Sequence, residues 1–375
     1  MYIMEKNNRA KMKILFIAPL PPPINGHSLV CQVLYDGLKS QNSMAIVDLK
    51  KQGLKDGKIS MNRLSEIFRV FVETWKKKKN ADVVYLTISE SLAGNLKDLL
   101  LYIICYSLLP KFYIHLHGGS IKKLLFDHFS LLYAINRFFI QKMGGVIISG
   151  KSHLEIFEGY VKSERIHTIP NFAPSYMFIS DSEFERKFKD FPEKINILFL
   201  SNMIPQKGYL LLLEAFQKLE KEIKVKFILN FAGRFDSKEE ADFFQHSIKG
   251  ETTIQYHGVV SDDKKKELFQ SAHIFILPTM FFEGQPVSIL EGYASGCVVL
   301  TTGQSGILDV FENNTNGFEM IPGSIDSIVE NLLFIKESQN FDKLKQIAKF
   351  NLEKAKNVYK EEIYIKKIKN VLGVN

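Results

Sequence analysis

The 375-residue sequence has few cysteines, one tryptophan and no apolar run long enough to cross a bilayer. Its three cysteines, Cys31, Cys105 and Cys297, show no C-x-x-C spacing. This pattern excludes a disulfide framework and a structural zinc motif, and it indicates a reducing compartment. One strongly apolar segment, residues 99–109, is eleven residues long, whereas a transmembrane helix needs about 20. The polar, basic N-terminal residues precede no apolar stretch with a cleavage site, so we expect no secretory signal.

The net charge of +8 is unevenly distributed along the chain. Residues 1–180 carry 24 Lys and Arg against 13 Asp and Glu, a balance of +11, and the remaining residues carry a balance of −3. A basic half suits nucleic acid, an anionic membrane surface or an acidic substrate, and a solvated basic surface without a partner remains an alternative.

Short apolar segments alternate with segments of helical periodicity, which predicts an α/β fold with parallel sheets. In the N-terminal half, strands are predicted at 14–18, 44–49, 83–87, 112–116 and 145–149. The pattern begins again at Ile195, and residues 176–194 are charged and irregular. We therefore expect an N-terminal domain over 1–175, a linker over 176–194 and a C-terminal domain over 195–375.

The uncharged apolar segment 99–109 has two neighbours in the N-terminal half, residues 67–79 and 121–142, that combine bulky aromatic residues with Lys and Arg. Buried core helices are one interpretation, and a surface that dips into a membrane interface is the other.

The stretch EGQPVSILEGYASG, starting at Glu283, follows a predicted strand, HIFILPT. Open α/β sheets bind ligands at the carboxyl ends of their strands, so Glu283, Gly284 and Gln285 lie where a ligand is expected. The following helix would offer the N–H groups of Val287 and Ser288 to an anion such as a diphosphate.

Glu291 follows Glu283 by eight residues, inside that helix. Carboxylates accept paired hydrogen bonds from vicinal hydroxyls, so these two residues would suit a ribose and a second hydroxylated ring. The alternative is that Glu283 caps the helix and Glu291 lies on the surface.

Residues 281–302 resemble the Glu-x7-Glu motif of retaining, family 4-type glycosyltransferases (glycosyl transferases group 1), which have the GT-B fold. Further similar stretches lie at 198–216, 256–279 and 301–320, and the phrases IHTIPNF, PPPINGH and HLHGGS also match. The resemblance implies two Rossmann-like domains that face each other across a cleft. The N-terminal domain would bind the acceptor and the C-terminal domain the nucleotide sugar, with the last helix crossing back to the N-terminal domain. The resemblance also implies transfer of a sugar from a nucleotide diphosphate sugar to an acceptor hydroxyl, with retention and without a metal or cofactor.

The resemblance also implies roles for individual residues. Glu291 would bind the ribose hydroxyls and Glu283 the transferred sugar, and Lys207 would neutralise the diphosphate. Val259 and Val260 would lie near the base.

In the N-terminal half, Gly26 would let a loop approach the phosphates, and His117 would face the sugar. The strand pattern alone leaves His115 open as an alternative, and the resemblance favours His117. The catalytic set is therefore His117, Glu283 and Lys207.

The sequence departs from the common family pattern at Asn202, where an Arg is usual. Arg234, at the end of the next strand, is the candidate replacement for the missing positive charge.

We expect a cytoplasmic enzyme of polysaccharide biosynthesis, located at the inner face of the membrane or free of it. Its partners would be the nucleotide sugar, a lipid-linked or cell-surface glycan acceptor and an anionic membrane. The main alternative is a non-catalytic nucleotide-sugar-binding or scaffold protein of the same fold. A nicotinamide dehydrogenase lacks support because no G-x-G-x-x-G follows the first strand. A nucleic-acid binder is suggested by charge alone.

Overall fold

The computed structural model describes residues 11–22, 25–49, 61–189, 191, 193–260 and 262–374, and the side chains of 61–64 are outside the description. The chain forms two compact units. The first contains the described residues up to Pro170 and those from Tyr364 onward, and the second is Asn171–Ile363.

The first unit is built on a six-stranded parallel sheet of order β2-β1-β3-β4-β5-β6. Two of its strands, Val83–Thr87 and Gly145–Ile148, are buried along their whole length, as expected for largely apolar strands in a sheet covered on both faces. Its strands are β1 (Lys13–Ala18), β2 (Ser43–Asp48), β3 (Val83–Thr87), β4 (Phe112–Leu116), β5 (Gly145–Ile148) and β6 (Ile166–Thr168). Its helices are α1 (Gly26–Lys39), α2 (Met61–Lys77), α3 (Leu92–Ile104) and α4 (Ser130–Ile140). The five strands predicted in this half are confirmed within one residue at each end.

The second unit repeats the architecture, with a parallel sheet of order β12-β11-β10-β7-β8-β9. Its strands are β7 (Ile195–Leu200), β8 (Phe227–Ala232), β9 (Ile254–Tyr256), β10 (Ile274–Leu277), β11 (Val298–Thr302) and β12 (Gly317–Met320). Its helices are α5 (Asp181–Lys187), α6 (Tyr209–Gln217), α7 (Lys221–Lys224), α8 (Lys238–Ser247), α9 (Asp262–Ser271), α10 (Val287–Ala294), α11 (Ile325–Lys336) and α12 (Phe341–Val358). The predicted α/β fold with two Rossmann-like units is confirmed.

The strand order of each sheet reverses beside its first strand. β1 lies between β2 and β3, and β7 lies between β8 and β10. At such a switch point the loops leave the carboxyl ends of adjacent strands in opposite directions, which opens a crevice for a ligand. The loops after β7 and β10 therefore define the expected binding edge of the second unit.

The described residues of 176–194, a segment predicted as a linker, instead pack into the second unit. Phe184, Phe188 and Phe191 are buried members of its core. α5 begins at a capping box in which the Ser180 hydroxyl accepts from the Glu183 N–H. The sequence resembled a linker because its mostly aromatic apolar residues are separated by charged ones. This spacing corresponds to about one helical turn.

His273 and Lys187 tie this segment to the sheet and to α10. The His273 Nδ1 accepts from the Asn196 N–H at 3.0 Å, so its Nε2 donates to the Lys187 carbonyl at 2.9 Å. The Lys187 ammonium donates to the Ser295 carbonyl at 2.7 Å, where α10 ends. A cation at a helix C-terminus is favourable because the last carbonyls lack helical partners.

The last helix, α13 (Glu361–Leu372), begins in the second unit and belongs to the first from Tyr364 onward. In the second unit Glu361 accepts from the backbone N–H and the hydroxyl of Ser175. In the first unit Tyr364 is buried.

Within the described part of the chain, no helix combines the length and apolar character that crossing a bilayer demands. α3 is neither wholly buried nor wholly exposed. Leu101 and Tyr102 are buried, whereas Leu100 and Ile103 are 46% and 57% exposed.

Candidate active site

Lys207 and Glu283 lie in the loops that follow the adjacent parallel strands β7 and β10. The two loops contact each other because Gly208 has φ +82°, and a Cβ there would lie 2.1 Å from the Pro278 carbonyl oxygen. Only glycine fits this position. The Met280 N–H then donates to the Gln206 carbonyl at 2.7 Å, which fixes the two loops together.

The Lys207 ammonium forms an ion pair with the Glu283 carboxylate. The Glu283 side chain is only 9% exposed and also accepts from the Thr279 hydroxyl at 3.0 Å. Thr279 is held in turn by Thr302, whose hydroxyl donates to the Thr279 carbonyl at 2.6 Å. The carboxylate is therefore buried and paired, and the idea that Glu283 caps the next helix is wrong.

Glu291 lies one turn inside α10, and it is 1% exposed. Its carboxylate forms an ion pair with Lys265 of α9. The alternative that placed Glu291 on the surface is therefore wrong. Asp262, at the start of α9, accepts from the Tyr176 hydroxyl at 3.3 Å. Burial, together with the Glu291 and Asp262 carboxylates, raises the pKa of Tyr176.

In sequence, the start of α10 lies between Glu283 and Glu291. Val287 and Ser288 form its first turn, whose N–H groups lack helical partners. Gln285 is 4% exposed and is held by Asn171, whose N–H donates to the Gln285 Oε1 at 2.6 Å and whose Nδ2 donates to the Gln285 carbonyl at 3.0 Å. The side chain of Gln285 thus holds the loop in place, and Gly284 is half-buried beside it.

The remaining predicted residues of this unit lie after β7, β8 and β9. Asn202 and Arg234 are exposed, and their loops meet where the Met203 N–H donates to the Arg234 carbonyl at 2.9 Å. Val259 is 73% exposed, and Val260 packs against the core. These positions share the carboxyl edge of the sheet with Lys207 and Glu283.

In the first unit, His115 and His117 occupy the end of β4. The fully buried His115 shares a hydrogen bond of 2.7 Å with the Tyr85 hydroxyl through its Nδ1, and burial lowers its pKa to about 3. The half-buried His117 stacks on His115 at 3.8 Å between ring centroids. Burial, followed by the two neighbouring imidazoles, lowers its pKa well below the usual value. Gly26 is exposed at the first position of α1.

The sequence interpretation missed four residues around these groups. Lys265 and Thr279 lie in the similar stretch 256–279 and Asn171 lies in IHTIPNF, but neither stretch indicated which groups these side chains contact. Glu90, after β3, accepts from the Ser120 N–H at 2.5 Å. A Cβ on Gly118 would overlap its carboxylate, so the HGGS turn is glycine-rich because it wraps around Glu90.

Part of the amino-acid sequence is similar to that of known proteins. Residues 181–353 match the family model described as glycosyl transferases group 1. An uncharacterized glycosyltransferase of Methanocaldococcus jannaschii is 26% identical over 132 residues, which cover 35% of this chain and 33% of that protein. The O-antigen chain mannosyltransferase B of Escherichia coli is 28% identical over 153 residues, covering 40% and 38%. The aligned part thus spans little more than a third of these curated relatives.

Solved structures extend the similarity to the whole fold. Anabaena HepE, solved with UDP and with UDP-glucose, has TM-scores of 0.73 and 0.72 at 15% identity. Each comparison covers 96% of this chain and at least 99% of HepE. Two six-stranded parallel sheets, each with its own switch point, therefore give this chain the GT-B fold, and residues 181–353, which contain the Glu283–Glu291 segment, match the glycosyl transferases group 1 family.

Proposed function

We propose that this protein transfers a sugar from a nucleotide diphosphate sugar to an acceptor hydroxyl, with retention of the anomeric configuration. The observation that carries the proposal is the two ion pairs with buried carboxylates, Lys207–Glu283 and Lys265–Glu291, whose glutamates precede and follow the start of α10 in sequence. The two lysines and the N-terminus of α10 offer positive charge to phosphates. The two carboxylates offer hydrogen-bond acceptors to hydroxyls. The binding of UDP and UDP-glucose by HepE agrees with a donor of this class.

Departure of the nucleotide diphosphate builds up negative charge on its leaving oxygen. Lys207 and the N–H groups of Val287 and Ser288 would stabilise this charge from fixed positions. Arg234 would supply the second cation, because Asn202 stands where the family usually has Arg. A diphosphate would compete with Glu283 for Lys207. Until the donor binds, the ion pair with Glu283 would hold the Lys207 ammonium in place.

The two carboxylates would orient the donor. Glu291, fixed by Lys265, would accept from the ribose hydroxyls, and Glu283 would accept from the transferred sugar. Val259 and Val260 would contact the base. Because Lys265 already fixes Glu291, this carboxylate would need little rearrangement when the donor binds.

From the first unit we propose that Gly26 contacts the donor phosphates and that His117 contacts the sugar. A neutral His117 suits this contact because it can accept from or donate to a hydroxyl. We further propose that the leaving phosphate takes the acceptor proton during attack on the same face, without a metal ion.

We propose a lipid-linked glycan precursor as acceptor and the inner face of the cytoplasmic membrane as the location. The first unit exposes an unusual number of large apolar side chains on α3 and α4 and in the segment that joins them. They are Leu92, Leu96, Leu100, Ile103, Tyr106, Leu124, Phe129, Leu131, Ile135 and Phe138. Lys122, Lys123 and Lys142 lie in the same part of the chain, and apolar residues with basic neighbours suit an anionic bilayer surface.

Flotation with vesicles tests the membrane contact. Leu100→Asp and Ile103→Asp should each reduce binding to vesicles that contain anionic lipid. Phe243→Asp is the matched control, because Phe243 is 68% exposed but lies in the second unit. Equal vesicle binding by all three variants and the unmodified protein would contradict the proposed contact.

A thermal-shift screen against nucleoside diphosphates and their sugars tests the donor class. The best ligand is then used for transfer and hydrolysis assays with the unmodified protein and Lys207→Met. We expect stabilisation, turnover of the nucleotide sugar and a large loss of turnover in the variant. Stabilisation without any transfer or hydrolysis would favour the non-catalytic binding protein instead.

A further inference from the structure

Three metal-ligand side chains of the first unit converge at the beginning of α1. His27 and Cys31 are four residues apart on this helix and so lie on one face. His117 follows β4, and its ring centroid is 4.6 Å from that of His27. One ligand atom from each of the three side chains lies within 4.8 Å of the other two.

The surrounding structure fixes these side chains. A capping box sets the first turn of α1: the Ser28 N–H donates to the Asn25 side chain at 2.9 Å, and the Asn25 N–H donates to the Ser28 hydroxyl at 3.0 Å. His115 stacks on His117 and is itself held by Tyr85. Two ligands from a capped helix and one from the end of a strand thus meet in a defined place.

The donor set fits zinc better than a hard cation. Zinc takes thiolate sulfur at about 2.3 Å and imidazole nitrogen at about 2.0 Å, so its tetrahedral ligands are about 3.5 Å apart. A separation of at most 4.8 Å needs only small side-chain rotations to close. The His117 Nε2 is buried and has no hydrogen-bond partner among the described residues. A buried imidazole nitrogen without a partner is costly, and a metal would relieve that cost.

We propose that His27, Cys31 and His117 form a Zn²⁺ site and that its occupation inhibits the enzyme. On binding, the Cys31 thiol releases its proton to solvent and forms a Zn–S bond. One nitrogen of each imidazole forms a Zn–N bond, and water completes the tetrahedron. The inhibitory part rests on the proposed function, because a metal-bound His117 can no longer contact the transferred sugar.

Titration of the metal-free protein with Co²⁺, followed by displacement with Zn²⁺, tests the site without an activity assay. Tetrahedral Co²⁺ bound to a thiolate gives intense visible bands and a near-ultraviolet sulfur-to-cobalt band. We expect both in the unmodified protein and in Cys105→Ser, a matched control for another buried cysteine of this unit. Cys31→Ser should lose the sulfur band and bind Co²⁺ at least tenfold more weakly, and His27→Gln should also bind it more weakly.

A sulfur band that persists in Cys31→Ser, or its absence from the unmodified protein, would overturn the site. A transfer assay then tests inhibition: Zn²⁺ should inhibit the unmodified enzyme, and Cys31→Ser should need at least tenfold more Zn²⁺ for the same effect. Cobalt spectra as expected, with transfer unaffected by Zn²⁺, would overturn the inhibitory part. The same spectra with no turnover of any nucleotide sugar would refute the proposed function and leave the site standing.

Discussion

Replacing Glu283 by Gln should tighten the binding of a nucleoside diphosphate while it slows sugar transfer. In the unliganded protein Glu283 holds the Lys207 ammonium in an ion pair, and neither side chain is more than 16% exposed. A diphosphate must therefore displace this carboxylate and also bind close to its negative charge. The amide of Gln keeps the shape and the Thr279 contact but gives up the charge.

The expected change in Kd follows from the strength of the charged hydrogen bond between Lys207 and Glu283, which the Gln variant loses. A hydrogen bond to a charged group contributes about 1.5–3 kcal/mol net, and each 1.4 kcal/mol is about tenfold in Kd. The Gln oxygen still accepts a weaker hydrogen bond from Lys207, so the lower end applies. We expect Kd for the diphosphate to fall about tenfold and turnover to fall by at least that factor, because Glu283 is the proposed partner of the sugar hydroxyls.

Isothermal titration calorimetry with the diphosphate identified by the thermal-shift screen measures this change in Kd. Lys207→Met should raise Kd by about tenfold or more, and adding Glu283→Gln to it should change Kd much less than in the unmodified protein. Glu291→Gln is the matched control: it weakens nucleotide binding because Glu291 is the proposed ribose partner. If Glu283→Gln weakens diphosphate binding as much as Lys207→Met does, the competition between carboxylate and phosphate is refuted.

Three further predictions concern the stability of the second unit. Gly208→Ala should lower the free energy of unfolding by at least about 2 kcal/mol, because φ is +82° and the new Cβ meets the Pro278 carbonyl; urea unfolding that matches the unmodified protein would contradict this. Phe184→Ala should cost about 3–5 kcal/mol in the same assay, because this 1%-exposed ring belongs to the core; a loss under 1 kcal/mol would restore the linker interpretation. His273 is kept neutral by burial, which lowers its pKa to about 4, while the unfolded chain takes up a proton below about pH 6.5. Stability should therefore fall by about 2 kcal/mol between pH 7 and pH 5 on account of this group. In His273→Gln, whose amide can still accept from the Asn196 N–H, this fall should be smaller by that amount, and an unchanged pH dependence would be contrary to the assignment.

The fold was largely predictable because hydrophobic periodicity reports on burial, and the inner strands of both sheets are mostly buried apolar runs. The segment containing Phe184 was assigned wrongly because a few widely spaced aromatic rings can enter a core that aliphatic runs usually signal. The position of Glu283 and Glu291 at the binding edge followed from the strand before them.

The partners of those carboxylates were not predictable in the same way. Lys265 and Asn171 are distant in sequence from the groups they contact, and a run of three lysines gives no indication of which one turns inward. The phrase HLHGGS gave no indication of the neighbour of its glycines, one of which makes room for Glu90. Local patterns reveal which face of an element is buried, but pairings between elements depend on the tertiary structure.

The three buried thiols have a practical consequence for following how this chain opens. Cys31 and Cys105 lie in the first unit and Cys297 in the second, and all three are buried. A thiol reagent can reach them only during an opening event, so labelling kinetics in native buffer would report the opening of each unit separately. Variants that each retain a single cysteine would therefore allow the rate of opening to be measured for each unit in turn.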